Sequence, residues 1–205
     1  DIESSQVAED ERYYRYGRFF TFQIGVGLTS FDGNRGAAYD NDPPSYSLSL
    51  NYFLDFQKAF GLGVAFSKHF FLIEEPTRNF SEPVGLVDVS MLRTFFSYRY
   101  YMDTSDLGTA ITYSNPYFTA RLEYWYVTNK FRDQEFLDDD SGGGLGFGLG
   151  FGLEFPIELK ESYVNTEFLF HSVNFHDKFT QKYSPVFDDL AGNAYSTMIS
   201  YVFNW

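Results

Sequence analysis

From Arg18 to Trp205 the chain falls into eight segments in which apolar and polar residues alternate one by one. Successive side chains of a strand point to opposite faces, so each segment predicts a β-strand with one apolar face. The first, Arg18–Phe31, aligns Phe20, Phe22, Ile24, Val26 and Leu28; the second, Ser45–Phe56, aligns Tyr46, Leu48, Leu50, Tyr52, Leu54 and Phe56. The third, Gly61–Ile73, carries Leu62, Val64 and Phe66. The fourth, Val87–Tyr101, carries Leu92, Phe96, Tyr98 and Tyr100, and its alternation slips at Met91-Leu92, where a β-bulge is expected. The fifth, Tyr117–Asn129, carries Phe118, Leu122, Tyr124 and Tyr126. In the sixth, Gly144–Phe155, every second residue from Leu145 to Phe155 is Leu or Phe, set against a column of glycines that ends in Glu154. The seventh, Ser162–Phe175, carries Val164, Phe168 and Phe170, and the eighth ends the chain with Thr197, Ile199, Tyr201, Phe203 and Trp205 on one face. Each segment is near, or somewhat beyond, the 9–11 residues that cross a bilayer at a tilt.

The connections alternate in length. Asp32–Pro44, Glu74–Leu86, Lys130–Gly143 and His176–Gly192 are long and polar, whereas Gln57–Phe60 and Pro156–Glu161 are short. Met102–Pro116 breaks the rule, being long and only mildly polar, with room for a short helix or for longer flanking strands. Alternation by itself does not say which face is inside, but volume does. An eight-stranded barrel interior barely holds one set of side chains, and the apolar faces consist largely of Phe, Tyr, Leu and Ile. The opposite faces offer Ser45, Ser47, Ser49, Gly25, Gly27 and the glycines of 144–152, which fit. The large side chains therefore point outward, where only lipid tolerates them. The prediction is all-β: a transmembrane, eight-stranded, antiparallel, up-and-down β-barrel over residues 18–205, preceded by a periplasmic arm, residues 1–17. Tyr46, Phe56, Tyr98, Tyr100, Tyr195 and Trp205 would form its interfacial girdles.

Composition sharpens this. Of 205 residues, 25 are Phe and 17 Tyr, an aromatic share of 21% that lipid-facing strands explain and a soluble core does not. A net charge of −13 opposes nucleic acid, whose binding needs a basic stripe. There is no cysteine, hence no disulfide framework or thiol chemistry. No run of 18 apolar residues is long enough for a membrane-spanning helix. Asp1 is read as the start of a mature form whose export signal has been removed.

Eight strands, long loops at one end and the closing Tyr201-Val-Phe-Asn-Trp205 resemble the small bacterial outer-membrane barrels of the OmpA, OmpX and OmpW type. The resemblance lies in pattern, not in residue-level motifs, so it carries over no catalytic or ligand residue. It implies outer-membrane localisation with both termini periplasmic, and contact with lipid and lipopolysaccharide. It also implies that the barrel assembly machinery reads Tyr201, Phe203 and Trp205 as an insertion signal. Unlike OmpA, the chain is expected to carry no peptidoglycan-binding domain after the barrel.

Candidate chemistry concentrates on the inward face. Asp55, Arg93, Arg99, Arg121, Glu123, Glu154 and Glu167 are predicted to form a lumenal charge network, either a salt-bridged plug or a gated polar path. The glycine column of the sixth strand makes room for neighbours such as Trp125, Phe95 and Phe53, or for a ligand or the arm. It is no nucleotide loop, since it lies within a strand and lacks the Lys-Ser/Thr ending. Ser67, His69 and His171, with Glu167 below, supply the pieces of a Ser/His/acid cluster near the loop end, but no family motif surrounds them. Glu135, Asp138, Asp139 and Asp140 lack calcium-loop spacing. No catalytic residue, metal site or cofactor is expected.

Arg12-Tyr13-Tyr14-Arg15-Tyr16 is basic and aromatic after an acidic start, the residue types that dominate interaction hot spots. It reads as a membrane-interface anchor or as a dock for an envelope protein complex. The leading expectation is a non-enzymatic structural or interaction barrel, an anchor or scaffold. A narrow OmpW-like conduit for small or apolar solutes is the alternative, and an outer-membrane hydrolase a third.

Overall fold

The computed structural model describes residues 17–39, 43–74, 76, 81–104, 114–133, 140–158, 161–176 and 189–205. Eight strands close into one antiparallel barrel: β1 (Phe20–Phe31), β2 (Pro44–Phe53), β3 (Lys58–Ile73), β4 (Gly85–Tyr101), β5 (Asn115–Phe131), β6 (Asp140–Glu158), β7 (Ser162–Phe175) and β8 (Ala194–Asn204). Each pairs with its sequence neighbour, and β1 closes the sheet on β8 from Thr21↔Asn204 to Phe31↔Ala194. No edge strand remains, which satisfies the backbone in a medium that supplies no water. Trp205 donates its backbone N–H to the Phe20 carbonyl at 2.9 Å, so the start of β1 and the end of β8 share one end of the barrel. The connections after β1, β3, β5 and β7 share the other, called the loop end below.

The outward face is the apolar one. Ile24, Leu50, Leu62, Leu122, Leu149 and Phe151 all stand exposed. An apolar band around the outside of a closed barrel is what outer-membrane barrels present to lipid. Aromatic pairs run along its margin at the terminal end, where Phe20 lies 5.2 Å from Tyr52, Phe60 5.5 Å from Tyr98 and Tyr201 4.6 Å from Phe203. Tyr46, Tyr100 and Trp205 are exposed as the girdle reading expects. Phe56 lies instead in the turn between β2 and β3.

Three sequence expectations need correction. No bulge interrupts β4: its pairing with β3 runs unbroken from Lys58↔Tyr100 to Ile73↔Gly85, and that with β5 from Val87↔Phe131 to Tyr101↔Tyr117. The apparent slip is a change of polarity, not of register. Val87, Val89 and Met91 point inward, and Asp88 and Ser90 outward, because the loop end of the barrel stands beyond the lipid and packs like a soluble protein. The register shift that does occur lies in β6, between Pro156 and Glu158. Second, the connection after β1 holds a short helix, α1 (Gly33–Ala38), entered through Gly33 at φ +61°. Third, β3, β4, β5 and β6 are longer than predicted, β6 spanning 19 residues rather than 144–155, whereas β2 ends at Phe53, three residues before the predicted Phe56. The 102–116 connection stays long, with Met102 donating to the Pro116 carbonyl at 2.8 Å and residues 105–113 outside the described ones.

Candidate functional site in the barrel lumen

The inward side chains form three layers. At the loop end Phe71, Ile73, Val84, Val87, Val89 and Met91 pack with Trp125, Val127, Phe131 and Ala194. The α1 segment caps this layer: Tyr39 stacks on His69 at 5.1 Å, and the Arg35 guanidinium lies 4.0 Å from the Phe175 ring centre. Asp32 fastens the cap to β8, accepting from the Asn193 backbone N–H at 2.6 Å and the Tyr195 hydroxyl at 3.0 Å. The Asn193 N–H above all holds the Asp32 carboxyl below its ordinary pKa. At the terminal end Phe53, Ala59, Tyr101 and Tyr117 make a second apolar layer. Arg18 is set into it 4.4–5.2 Å from the ring centres of Tyr163, Phe53 and Tyr101.

Between these lids lies the predicted charge network, less one member. Arg18 Nη1 donates to Glu154 Oε2 at 2.6 Å, and the Tyr101 hydroxyl donates to the other oxygen at 2.7 Å. Arg99 spans two carboxylates, Glu154 at 3.8 Å and Glu167 at 3.5 Å, and donates to Gln23 Oε1 at 3.0 Å. Arg121 takes the second oxygen of Glu167 and lies 4.1 Å over the Phe95 ring. Glu123 meets His171 Nδ1 at 2.8 Å and accepts from Trp125 Nε1 at 3.0 Å. Asp55 is the exception. It sits half-exposed in the β2–β3 turn, accepting from the Gln57 and Lys58 backbone amides and pairing with Lys58 Nζ at 3.2 Å. The alternation that placed it inward carries on in the sequence past Phe53, where the strand has ended.

Ser67 and His69 do meet, at 3.2 Å, and both are buried. His171 is not with them. Phe31 lies 5.2 Å from His69 and 6.1 Å from Trp125, which in turn lies 5.5 Å from His171, so two rings stand between the histidines. Glu167 is spent on arginines, and His171 has Glu123 on Nδ1 and the Ser196 hydroxyl 2.7 Å from Nε2. Ser196–His171–Glu123 has the order of a nucleophilic triad. Arg93 Nη1, however, donates to the same Nε2 at 2.8 Å, and a guanidinium has no lone pair to offer in return. That nitrogen is occupied, and Ser196 is 1% exposed inside the wall, so the cluster cross-links β4, β5, β7 and β8 without access for a substrate.

The glycine column is filled by protein. A Cβ on Gly146 would meet Trp125 Nε1 at 3.2 Å, one on Gly148 the Glu123 carboxylate at 3.0 Å, and one on Gly152 the Tyr117 ring at 2.4 Å. Phe95 packs instead against Gly63 of β3, and Phe53 belongs to the terminal-end layer. Gly152→Val should therefore displace Tyr117 from Asn165, to which its hydroxyl donates at 3.0 Å, at a cost of about 1–3 kcal/mol. Urea unfolding of the refolded barrel in vesicles reads this directly; an unchanged midpoint would mean that Tyr117 is free to move aside.

Sequence reasoning missed Arg18, Gln23, Arg35, Tyr101, Tyr117 and Ser196. All but Arg18 and Arg35 share the inward parity of their strands, a signal that was there to read. The candidate dock Arg12, Tyr13, Tyr14, Arg15 and Tyr16 lies outside the described residues, as do Glu135, Asp138 and Asp139.

No protein-family model matches the chain, and no curated protein matches it in sequence. Solved structures do. Neisserial surface protein A is 12% identical with a TM-score of 0.58, the match covering 91% of this chain and 97% of that one. Ail, the attachment invasion locus protein of Yersinia pestis, solved with the heparin analogue sucrose octasulfate, is 13% identical with a TM-score of 0.54 and the same coverage. The fold is that of the small eight-stranded outer-membrane barrels.

Proposed function

We propose that this chain is an integral outer-membrane barrel that serves as a structural or interaction component, an anchor or scaffold for an envelope complex without catalysis. The observation that carries the reading is the closed lumen. Two apolar layers and a cross-linked charge layer between them leave the described interior without a continuous aqueous path, so what the barrel offers lies at its two ends. Its outward apolar band and its likeness to surface barrels support insertion in the outer membrane with both termini periplasmic. The assembly machinery would then read Tyr201, Phe203 and Trp205, and outer-leaflet lipopolysaccharide would surround the loop end. A net charge of −13 is a poor match for a polyanion such as the one bound in the Ail structure, so a polyanionic ligand is not the partner we favour.

Two experiments separate the readings. In planar bilayers the purified barrel should give no stable conductance steps; discrete openings that change in Arg99→Gln would favour the conduit. Mild detergent extraction followed by affinity purification should recover a stoichiometric envelope partner that is lost when residues 1–17 are removed. A barrel recovered alone would count against the scaffold.

A further inference from the structure

On the outer wall of β3, β4 and β5, strand register sets the side chains in rows. Phe66, Leu92 and Tyr126 stand side by side, 40–46% exposed. The next row towards the loop end is Lys68, Ser90 and Thr128, and the one after it Phe70, Asp88 and Lys130. On β4 apolar gives way to polar between Leu92 and Ser90, so the hydrocarbon boundary of this sector lies there. Lys68 and Lys130 stand just beyond that boundary on either side of Ser90. They are two strands and one row apart, about 12 Å between Cα atoms, a gap that two four-carbon stems can close.

The carboxylates nearby are engaged elsewhere. Asp88 is held by Arg132, whose Nη2 lies 2.7 Å and 2.6 Å from its two oxygens. Asp133 accepts from the Leu86 backbone N–H at 2.8 Å. Lys68 and Lys130 are exposed, and among the described residues neither has a carboxylate within 4.0 Å. The hydroxyls of Ser90 and Thr128 face outward between them. Other strands offer nothing comparable at this end: their outward positions are Ser30, Tyr46, Ser141, Ser172 and Tyr195, all uncharged. Two unspent amines sharing one sector at the lipid boundary suit a phosphate, with the stems lying over Phe66, Leu92 and Tyr126 and the ammonium groups reaching the headgroup level.

We propose that Lys68 and Lys130, with the Ser90 and Thr128 hydroxyls between them, form a seat for one phosphate of an outer-leaflet lipid, the phosphorylated glycolipid base of lipopolysaccharide. The proposal rests on the outer-membrane placement given above and adds a position to it: one sector, β3 to β5, holds the lipid. A chain of net charge −13 repels anions at long range, so a phosphate retained here is held by local contacts.

The test uses the full chain refolded in phosphatidylcholine vesicles that contain lipid A. After extraction into mild detergent, native mass spectrometry should find about one lipid A retained per barrel. Lys68→Gln and Lys130→Gln should each weaken retention roughly fivefold and together about twentyfold. Lys58→Gln, which changes net charge equally at the terminal end, should leave it intact. Lipid A stripped of its phosphates should not be retained. Retention unaffected by the double substitution, or phosphatidylglycerol held as well at matched surface charge, would overturn the site. Either result can arise in a barrel that inserts normally, so the membrane reading would stand; that reading fails on its own test, an outward Leu149→Arg that costs nothing.

Discussion

Glu167→Ala is expected to destabilise the barrel by about 3–5 kcal/mol, the largest single loss of any lumenal substitution. Glu167 serves two cations at once, with one oxygen towards Arg121 and the other 3.5 Å from Arg99. All three side chains are at most 4% exposed, so water does not replace the lost carboxylate. Arg99 keeps Glu154, at 3.8 Å, but Arg121 keeps only the Phe95 ring. The cost is that of a buried uncompensated charge, which far exceeds the net worth of an ion pair. The control is the double variant Arg121→Met with Glu167→Leu, which removes both charges and fills similar volume. It should recover most of the loss, since replacing a whole buried pair by apolar residues is often neutral or better. Urea unfolding in vesicles measures both. A loss below about 1 kcal/mol for Glu167→Ala would mean that the lumen is wet, and the closed-plug reading would fall with it.

How much of this the sequence displayed depends on what each feature needs. Strand identity needs only the period of two, and Leu145 to Phe155 against glycine carries it unmistakably. Inward parity likewise placed six of seven lumenal charges. It failed at Asp55 because a turn that continues an alternating pattern looks like more strand, and nothing local marks Phe53 as the last residue. It misled at Met91-Leu92 because polarity reports the surrounding medium as well as the face. Where β4 leaves the lipid, the apolar face becomes the inner one while the register holds. Pairing was not legible at all. Which carboxylate meets which guanidinium follows from the stagger of strands around the closed sheet, so His171 finds Glu123 of β5, 48 residues away, rather than Glu167 on its own strand. The Arg35 cap was hidden for another reason: Gly33-Asn-Arg-Gly36 has the composition of a loop, and its six-residue helix is held by Asp32 and β8 rather than by propensity.

Leu149→Arg tests the orientation on which everything else rests, and it should cost roughly 2–4 kcal/mol. Leu149 lies near the middle of β6, outward, 51% exposed, between Ala120 of β5 and Phe170 of β7. In water an arginine there would be almost neutral, because a half-exposed leucine on a sheet surface gives up little burial when it is replaced. In lipid the guanidinium must either desolvate or drag water and headgroups inward, and the penalty depends on depth. That depth dependence is what makes the result diagnostic. Ser90→Arg on β4 also points outward, but at the loop end where the outer face has turned polar, and it should cost nearly nothing. Refolding each variant into vesicles and measuring unfolding in urea gives the two numbers. Equal costs at both positions would place the apolar band against something other than a bilayer, whereas a gap of 2 kcal/mol or more fixes the lipid boundary between Ser90 and the girdle below it.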